Sequence, residues 1–198
     1  MYLNPLVVSC IIVSLVGFYC CVCTCLKFYC NEFVIKAKNC NGLLDYERIL
    51  KYYEELSSIF ILMDDSFSYP VFIAVLNCMI EIFWACYIFV YFEPNDCLGT
   101  SFIVERFVIN VVFLIMVILP ASAANEAAVD ARNFILISPG LLPQRCKEIN
   151  LFILRISIRQ PTLTLWRFYK IKKGLLISAG GTLLTYGILL GTLGNMSV

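Results

Sequence analysis

Four stretches of roughly twenty predominantly apolar residues run through this chain, and a helix of that length spans the roughly 30 Å hydrocarbon core of a bilayer. They cover residues 5–26, 70–92, 102–125 and 174–195. The first and last contain no charged side chain, the second contains Glu81, and the third holds Glu105 and Arg106 near its start before an uncharged run over 107–125. Hydrophobic residues make up 61% of the chain and its mean hydropathy is +0.84, against roughly 45–50% apolar for a globular domain. A soluble core does not hide that much apolar surface. The expected fold class is therefore all-α: a polytopic membrane helical bundle, one membrane domain over 1–198, with four transmembrane helices and cytosolic helical extensions.

The net charge of +1 is uninformative, but its distribution is not. Of 15 Lys and Arg residues, five fall in the loop over 27–69, nine in the loop over 126–173, and Arg106 alone lies between these two loops. Cationic loops stay on the cytosolic side. Both long loops are thus expected inside the cell and both termini outside, which is self-consistent for four crossings. The first span is expected to be retained and not cleaved as a secretory signal: no positive region precedes it, its apolar run exceeds the usual length, and no clear small-residue cleavage site follows.

Eleven cysteines in a small secreted chain would suggest a disulfide framework. Here most lie within or just inside the expected spans, and the topology leaves only Cys97 in an external loop. The run Cys20, Cys21, Cys23, Cys25 has zinc-binding donors, but a helix spreads them around its axis and the chain contains no histidine. Structural filler and juxtamembrane acylation are the two readings that remain.

The first cytosolic loop is patterned. Leu43, Tyr46, Ile49, Leu50, Tyr53, Leu56, Phe60 and Met63 recur at spacings of three and four, with Asp45, Glu47, Arg48, Lys51, Glu54 and Glu55 on the other face, which predicts an amphipathic helix. The third span is expected to continue past the membrane through Ala121, Ala123, Ala124, Ala127, Ala128 and Ala131, whose small side chains allow close helix approach, with Glu126 and Asp130 reaching water. Pro120 is expected to bend it, and Ser138, Pro139, Gly140 and Pro143 to end it. A second basic amphipathic stretch over 147–160 follows, and Pro161 and Thr162 open a short helix over 162–173 that leads into the last span.

The last span carries Thr185 and Tyr186, then Gly187, Ile188, Leu189, Leu190 and Gly191, then Thr192 and Leu193; just upstream lie Trp166, Arg167, Phe168, Lys170, Lys172 and Lys173. This layout resembles the C-terminus of arthropod gustatory receptors, a branch of the seven-helix insect chemoreceptor superfamily, whose last helix carries Thr-Tyr, five hydrophobic residues and Gln-Phe. Thr192 and Leu193 stand where the family has Gln-Phe. The resemblance implies a tetrameric ligand-gated cation channel, with inner helix ends packed into an anchor domain and a final helix split into cytosolic and membrane pieces. It further implies that the chain corresponds to the last four of seven helices and lacks three N-terminal ones, and the inner, outer, inner order of loops agrees.

Glu81 is the one charge in the middle of a span. Such carboxylates face a bundle interior or a water-filled cavity, or are held protonated or hydrogen-bonded between helices. Trp84, Tyr87 and Tyr91 follow it at spacings of three and four, and an interfacial aromatic belt accounts for Tyr91 equally well. The family's ligand pocket lies in the outer half of the bundle, so the resemblance makes Glu81, Trp84, Tyr87, Arg106 and Asn110 the candidate ligand-binding residues. It also places Leu189 and Leu193 at a pore gate, Thr192 at the pore-lining Gln position, and Thr185 and Tyr186 in support of the helix. A leucine ring closes a pore by dewetting, and a threonine hydroxyl solvates a passing cation. Alternatively, Gly180, Gly181, Gly187, Gly191 and Gly194 serve tight helix packing with no pore.

No catalytic constellation, cofactor motif or metal-ligand set is present in the sequence, so an enzyme is not expected. The sequon at Asn195, Met196 and Ser197 abuts the membrane and is expected to stay unused. The partners implied are a small-molecule tastant, membrane lipid and other receptor subunits in a homo- or hetero-tetramer, with no nucleic acid. Two competing functions are a non-conducting membrane scaffold or regulatory subunit, and a small solute transporter centred on Glu81. No convincing internal repeat favours the transporter.

Overall fold

The computed structural model describes residues 5–38, 43–91, 97–137 and 161–195. They form α1 (Pro5–Lys38), α2 (Leu43–Tyr91), α3 (Cys97–Ile137), a two-stranded hairpin of β1 (Thr164–Leu165) and β2 (Tyr169–Lys170), and α4 (Gly174–Asn195). The 49 residues of α2 and 41 of α3 make helices of roughly 73 and 60 Å at 1.5 Å per residue, about twice the hydrocarbon thickness. Pro70 and Pro120 lie inside α2 and α3, and each helix continues through its proline. Among the described residues, three stretches are long and apolar enough to cross a membrane, 10–38, 48–89 and 99–136. The chain has the all-α polytopic fold its hydropathy predicts.

Contacts divide the chain into two compact units, one of residues 1–19, 70–119 and 172–198, the other of 20–69 and 120–171. Each of α1, α2 and α3 contributes one end to each unit. In the first unit, Val71, Ala74, Val75, Cys78, Ile82 and Ala85 of α2 are buried at spacings of three and four, with Leu114, Val117 and Ile118 of α3. That spacing is one face of a helix.

The second unit is packed around small residues. Ala121, Ala124 and Ala131 of α3 have no exposed surface, and Ala127 and Ala128 are buried beside them, while Glu126 and Asp130 face outward. Leu50, Tyr53, Leu56 and Phe60 form the buried face of α2, with Lys51, Glu54 and Glu55 exposed, as the amphipathic pattern predicts. The side chains of Leu43 and Tyr46 lie outside the described residues. From α1 come Cys23, Leu26, Cys30 and Phe33, all buried. The Phe33 ring stacks on Tyr52 at 6.1 Å and leans on Tyr53 at 5.7 Å. Burial pushes the Tyr53 hydroxyl up to about 12, although the nearby Arg132 charge opposes the shift.

One expectation is corrected. The short helix over 162–173 is instead a β-hairpin, with Thr164 opposite Lys170 and Leu165 opposite Tyr169. Its turn places Trp166 at φ 47° and Arg167 at φ 58°, the left-handed region that costs a non-glycine residue roughly 1–2 kcal/mol. Partners outside the hairpin hold it there. Thr164 donates its backbone N–H to Asp64 Oδ1 at 2.6 Å and its hydroxyl to both Asp64 oxygens at 2.9 Å. Trp166 donates its N–H to the Ser68 carbonyl at 3.2 Å, and Arg167 pairs with Asp65. The basic stretch expected over 147–160 lies outside the described residues.

Candidate functional site

Within the first unit, the C-terminal end of α2, the first half of α3 and the first half of α4 line a half-open cavity of about 860 Å³. Ile82, Ala85, Cys86 and Phe89 line it from α2, Ile103, Phe107, Val111 and Leu114 from α3, and Leu176, Gly180, Leu183 and Gly187 from α4. No lining residue carries a charge. A concave, almost wholly apolar space of this size is suited to a small molecule held by shape and desolvation. The glycines of α4 contribute the room: a Cβ at Gly180 or Gly187 would meet nothing within 4 Å. Gly181 is equally open, so within this chain these three glycines do not serve close helix contact.

The five candidate ligand-binding residues lie on α2 and α3 beside this cavity. Arg106 donates from Nη2 to Glu81 Oε2 at 3.3 Å, joining α3 to α2 one residue before the lining residues Ile82 and Phe107. Asn110 donates its side-chain amide to the Arg106 carbonyl at 2.9 Å, one turn back on the same helix. Trp84 and Tyr87 stack at 5.6 Å with their planes 21° apart, and the Trp84 ring is 57% exposed. None of the five is among the lining residues. The structure thus gathers three of them into a polar link between two helices and two into an aromatic pair, and the walls are supplied by their apolar neighbours.

Most described side chains of α4 point away from the unit's core; Ala179 is the buried one. Tyr186 is 54% exposed and meets Phe83 of α2 edge-on, with ring centroids 6.5 Å apart. Leu189 and Thr192 are exposed, and the Leu193 side chain lies outside the described residues. Every hydroxyl seen bonded on α4 turns back to its own helix: Ser178 to Leu175, Thr182 to Ser178, Thr185 to Gly181 and Thr192 to Leu189, at 2.8–3.1 Å. Such back-bonding satisfies each donor within its own helix, without a partner helix.

In the second unit, Asn125 forms the polar centre. Its amide nitrogen donates to the carbonyls of Leu163 and Ile171 at 3.0 and 2.9 Å, and its oxygen accepts from the Leu163 N–H at 2.7 Å. Asn125 is 3% exposed, so these bonds replace water for a group with nowhere else to turn. The sequence marks 102–125 only as a span, and nothing in it points to Asn125 as the tie that holds the hairpin. Among the described residues, no group of three or more His, Cys, Asp or Glu side chains forms a metal site.

The family model of the 7tm chemosensory receptors matches residues 1–190. None of the curated proteins compared with the chain matches it. Because the family match takes in nearly the whole sequence, and the long apolar helices make it a multi-pass membrane protein, this chain belongs to the 7tm chemosensory receptor family.

Proposed function

We propose that the protein is a gustatory-receptor-like subunit of a tetrameric ligand-gated cation channel, in which a small tastant enters the cavity between α2, α3 and α4 and displaces a leucine gate on α4. The observation that carries this reading is the cavity itself, which places apolar walls from α2 and α3 directly against the helix that holds Leu189, Thr192 and Leu193. Ligand occupancy there acts on α4 without an intermediary. Differential affinity for the open and closed arrangements is all that gating requires.

Two further observations support it. The largely uncovered α4 has a surface free for neighbouring subunits around an axis, as a pore helix needs. The unit boundaries at 19/20, 69/70, 119/120 and 171/172 fall within two helical turns of the inner span ends that the charge pattern indicates, 26, 70, 125 and 174. In this arrangement the first unit is the membrane body with both termini outside, and the second is the cytosolic anchor that joins subunits.

The test is whole-cell recording from cells that express the chain together with a full-length member of the family, against a panel of small apolar and polyhydroxylated compounds. A compound-evoked cation current that requires the chain supports the proposal. Normal surface delivery with no current to any compound argues for the scaffold role.

A further inference from the structure

The cysteines of α1 fall into two sets. Cys23 and Cys30, seven residues apart, are buried in the core of the second unit, whereas Cys21 and Cys25, four apart, are exposed on one face. Phe28 continues that face one turn on and is 64% exposed, and Lys27, the first cation of the chain, is exposed beside it. The uncharged run over 5–26 ends at this point. Neither Cys21 nor Cys25 is in a disulfide, and no metal-binding group forms among the described residues. Neither sulfur of the pair is packed into the core of the unit.

We propose that Cys21 and Cys25 are a paired S-acylation site that takes long-chain fatty acyl groups from an acyl thioester. Each thiolate sulfur attacks the thioester carbonyl carbon. A new sulfur–carbon bond replaces the donor's, the donor leaves as a thiol carrying the proton the cysteine gave up, and no atom changes oxidation state. Position makes the pair suitable: the sulfurs sit at the hydrocarbon edge, so an attached chain folds back into the acyl layer, where each buried methylene contributes about 0.8 kcal/mol. Cys10 is also exposed, but it lies eleven residues further into the span, about 16 Å deeper along the helix, out of reach of a donor at the surface. Two chains four residues apart would hold the inner end of α1 at a fixed depth.

The inference rests on the reading that places residues 27–69 in the cytosol, and the experiment separates the two. The full chain with a C-terminal tag is expressed in insect cells. Free thiols are blocked, thioesters are cleaved with hydroxylamine, and the released thiols are labelled with a polyethylene-glycol maleimide. Tag accessibility is read on intact cells from the same culture. The expected result is two hydroxylamine-dependent mass steps in the parent and in Cys10→Ser, one in Cys21→Ser or Cys25→Ser, and none in the double variant. Size-exclusion chromatography of the double variant confirms that it remains folded. No step in the parent with the tag accessible outside overturns the acylation and leaves the topology standing. No step with the tag accessible only after permeabilisation overturns both. Two steps persisting in the double variant also overturn the assignment.

Discussion

Asn125 and Leu163 are joined by a reciprocal pair of hydrogen bonds, the Leu163 N–H to Asn125 Oδ1 at 2.7 Å and Asn125 Nδ2 to the Leu163 carbonyl at 3.0 Å. One side chain thereby imitates the edge of a strand. With its second donor on Ile171 it closes both ends of the hairpin that leads into α4.

Replacing Asn125 with alanine leaves a buried N–H and two carbonyls without that partner, a loss on the order of 3 kcal/mol. Thermal unfolding of the detergent-solubilised protein is expected to show a clear destabilisation in Asn125→Ala and almost none in Phe168→Ala, whose ring is 87% exposed. Equal unfolding temperatures for the two variants would contradict the role assigned to Asn125.

Asp64 supplies a pH test. Burial raises its carboxyl above the usual carboxylate range, and the bonds from Thr164 and the nearby Arg167 charge offset only part of that rise. The folded protein thus holds this proton more tightly than the unfolded chain does. The stability that follows is complete below the unfolded value and is lost as pH climbs through the folded one. Asp64→Asn retains an acceptor for Thr164 without the charge, so it is expected to unfold at a higher temperature than the parent at neutral pH. The gap should narrow as pH is lowered toward the carboxylate range; a gap that widens instead would show that Asp64 acts in its charged form.

Glu81 and Arg106 are expected to depend on each other. An ionised side chain left alone in a span is costly, and pairing reduces the cost. Glu81→Gln and Arg106→Gln should each lower surface delivery, and the double variant should recover part of it, with a coupling of roughly 1 kcal/mol in a stability cycle. Additive losses would mean that the 3.3 Å contact contributes nothing.

The cavity is tested at Gly180, where an added side chain has open space to enter. For any compound that evokes a current, Gly180→Leu is expected to shift the response at least about tenfold to higher concentration, a change of about 1.4 kcal/mol in binding. The same variant should reach the surface normally. An unchanged dose response would place the ligand elsewhere.

The long helices were legible because two simple signals agree along them: apolar runs of bilayer length, and three-and-four spacing that continues from Leu50 to Phe60. The family could be read from Thr185, Tyr186 and the basic, aromatic approach to the last span. The hairpin was hidden for a physical reason. Its turn residues, Trp166 and Arg167, have no local preference for a left-handed backbone, and the groups that hold the hairpin, Asp64, Asp65, Ser68 and Asn125, lie 38 to 102 residues from their partners in sequence. The cavity was hidden for a different reason. Ile82, Phe107 and Leu183 have the same composition as lipid-facing side chains, and only packing distinguishes a wall from a surface. Glu81 and Arg106 stand out in the sequence by their charge, whereas the apolar neighbours that line the cavity carry no such mark.

The most direct measurement of the central claim is the basal current of Leu189→Ala in cells that co-express a full-length family member. If α4 lines a pore closed by leucine side chains, shortening Leu189 wets the constriction and raises the ligand-free cation current at equal surface density. A closed-state current identical to that of the parent, with both proteins at the surface in equal amounts, would contradict the account.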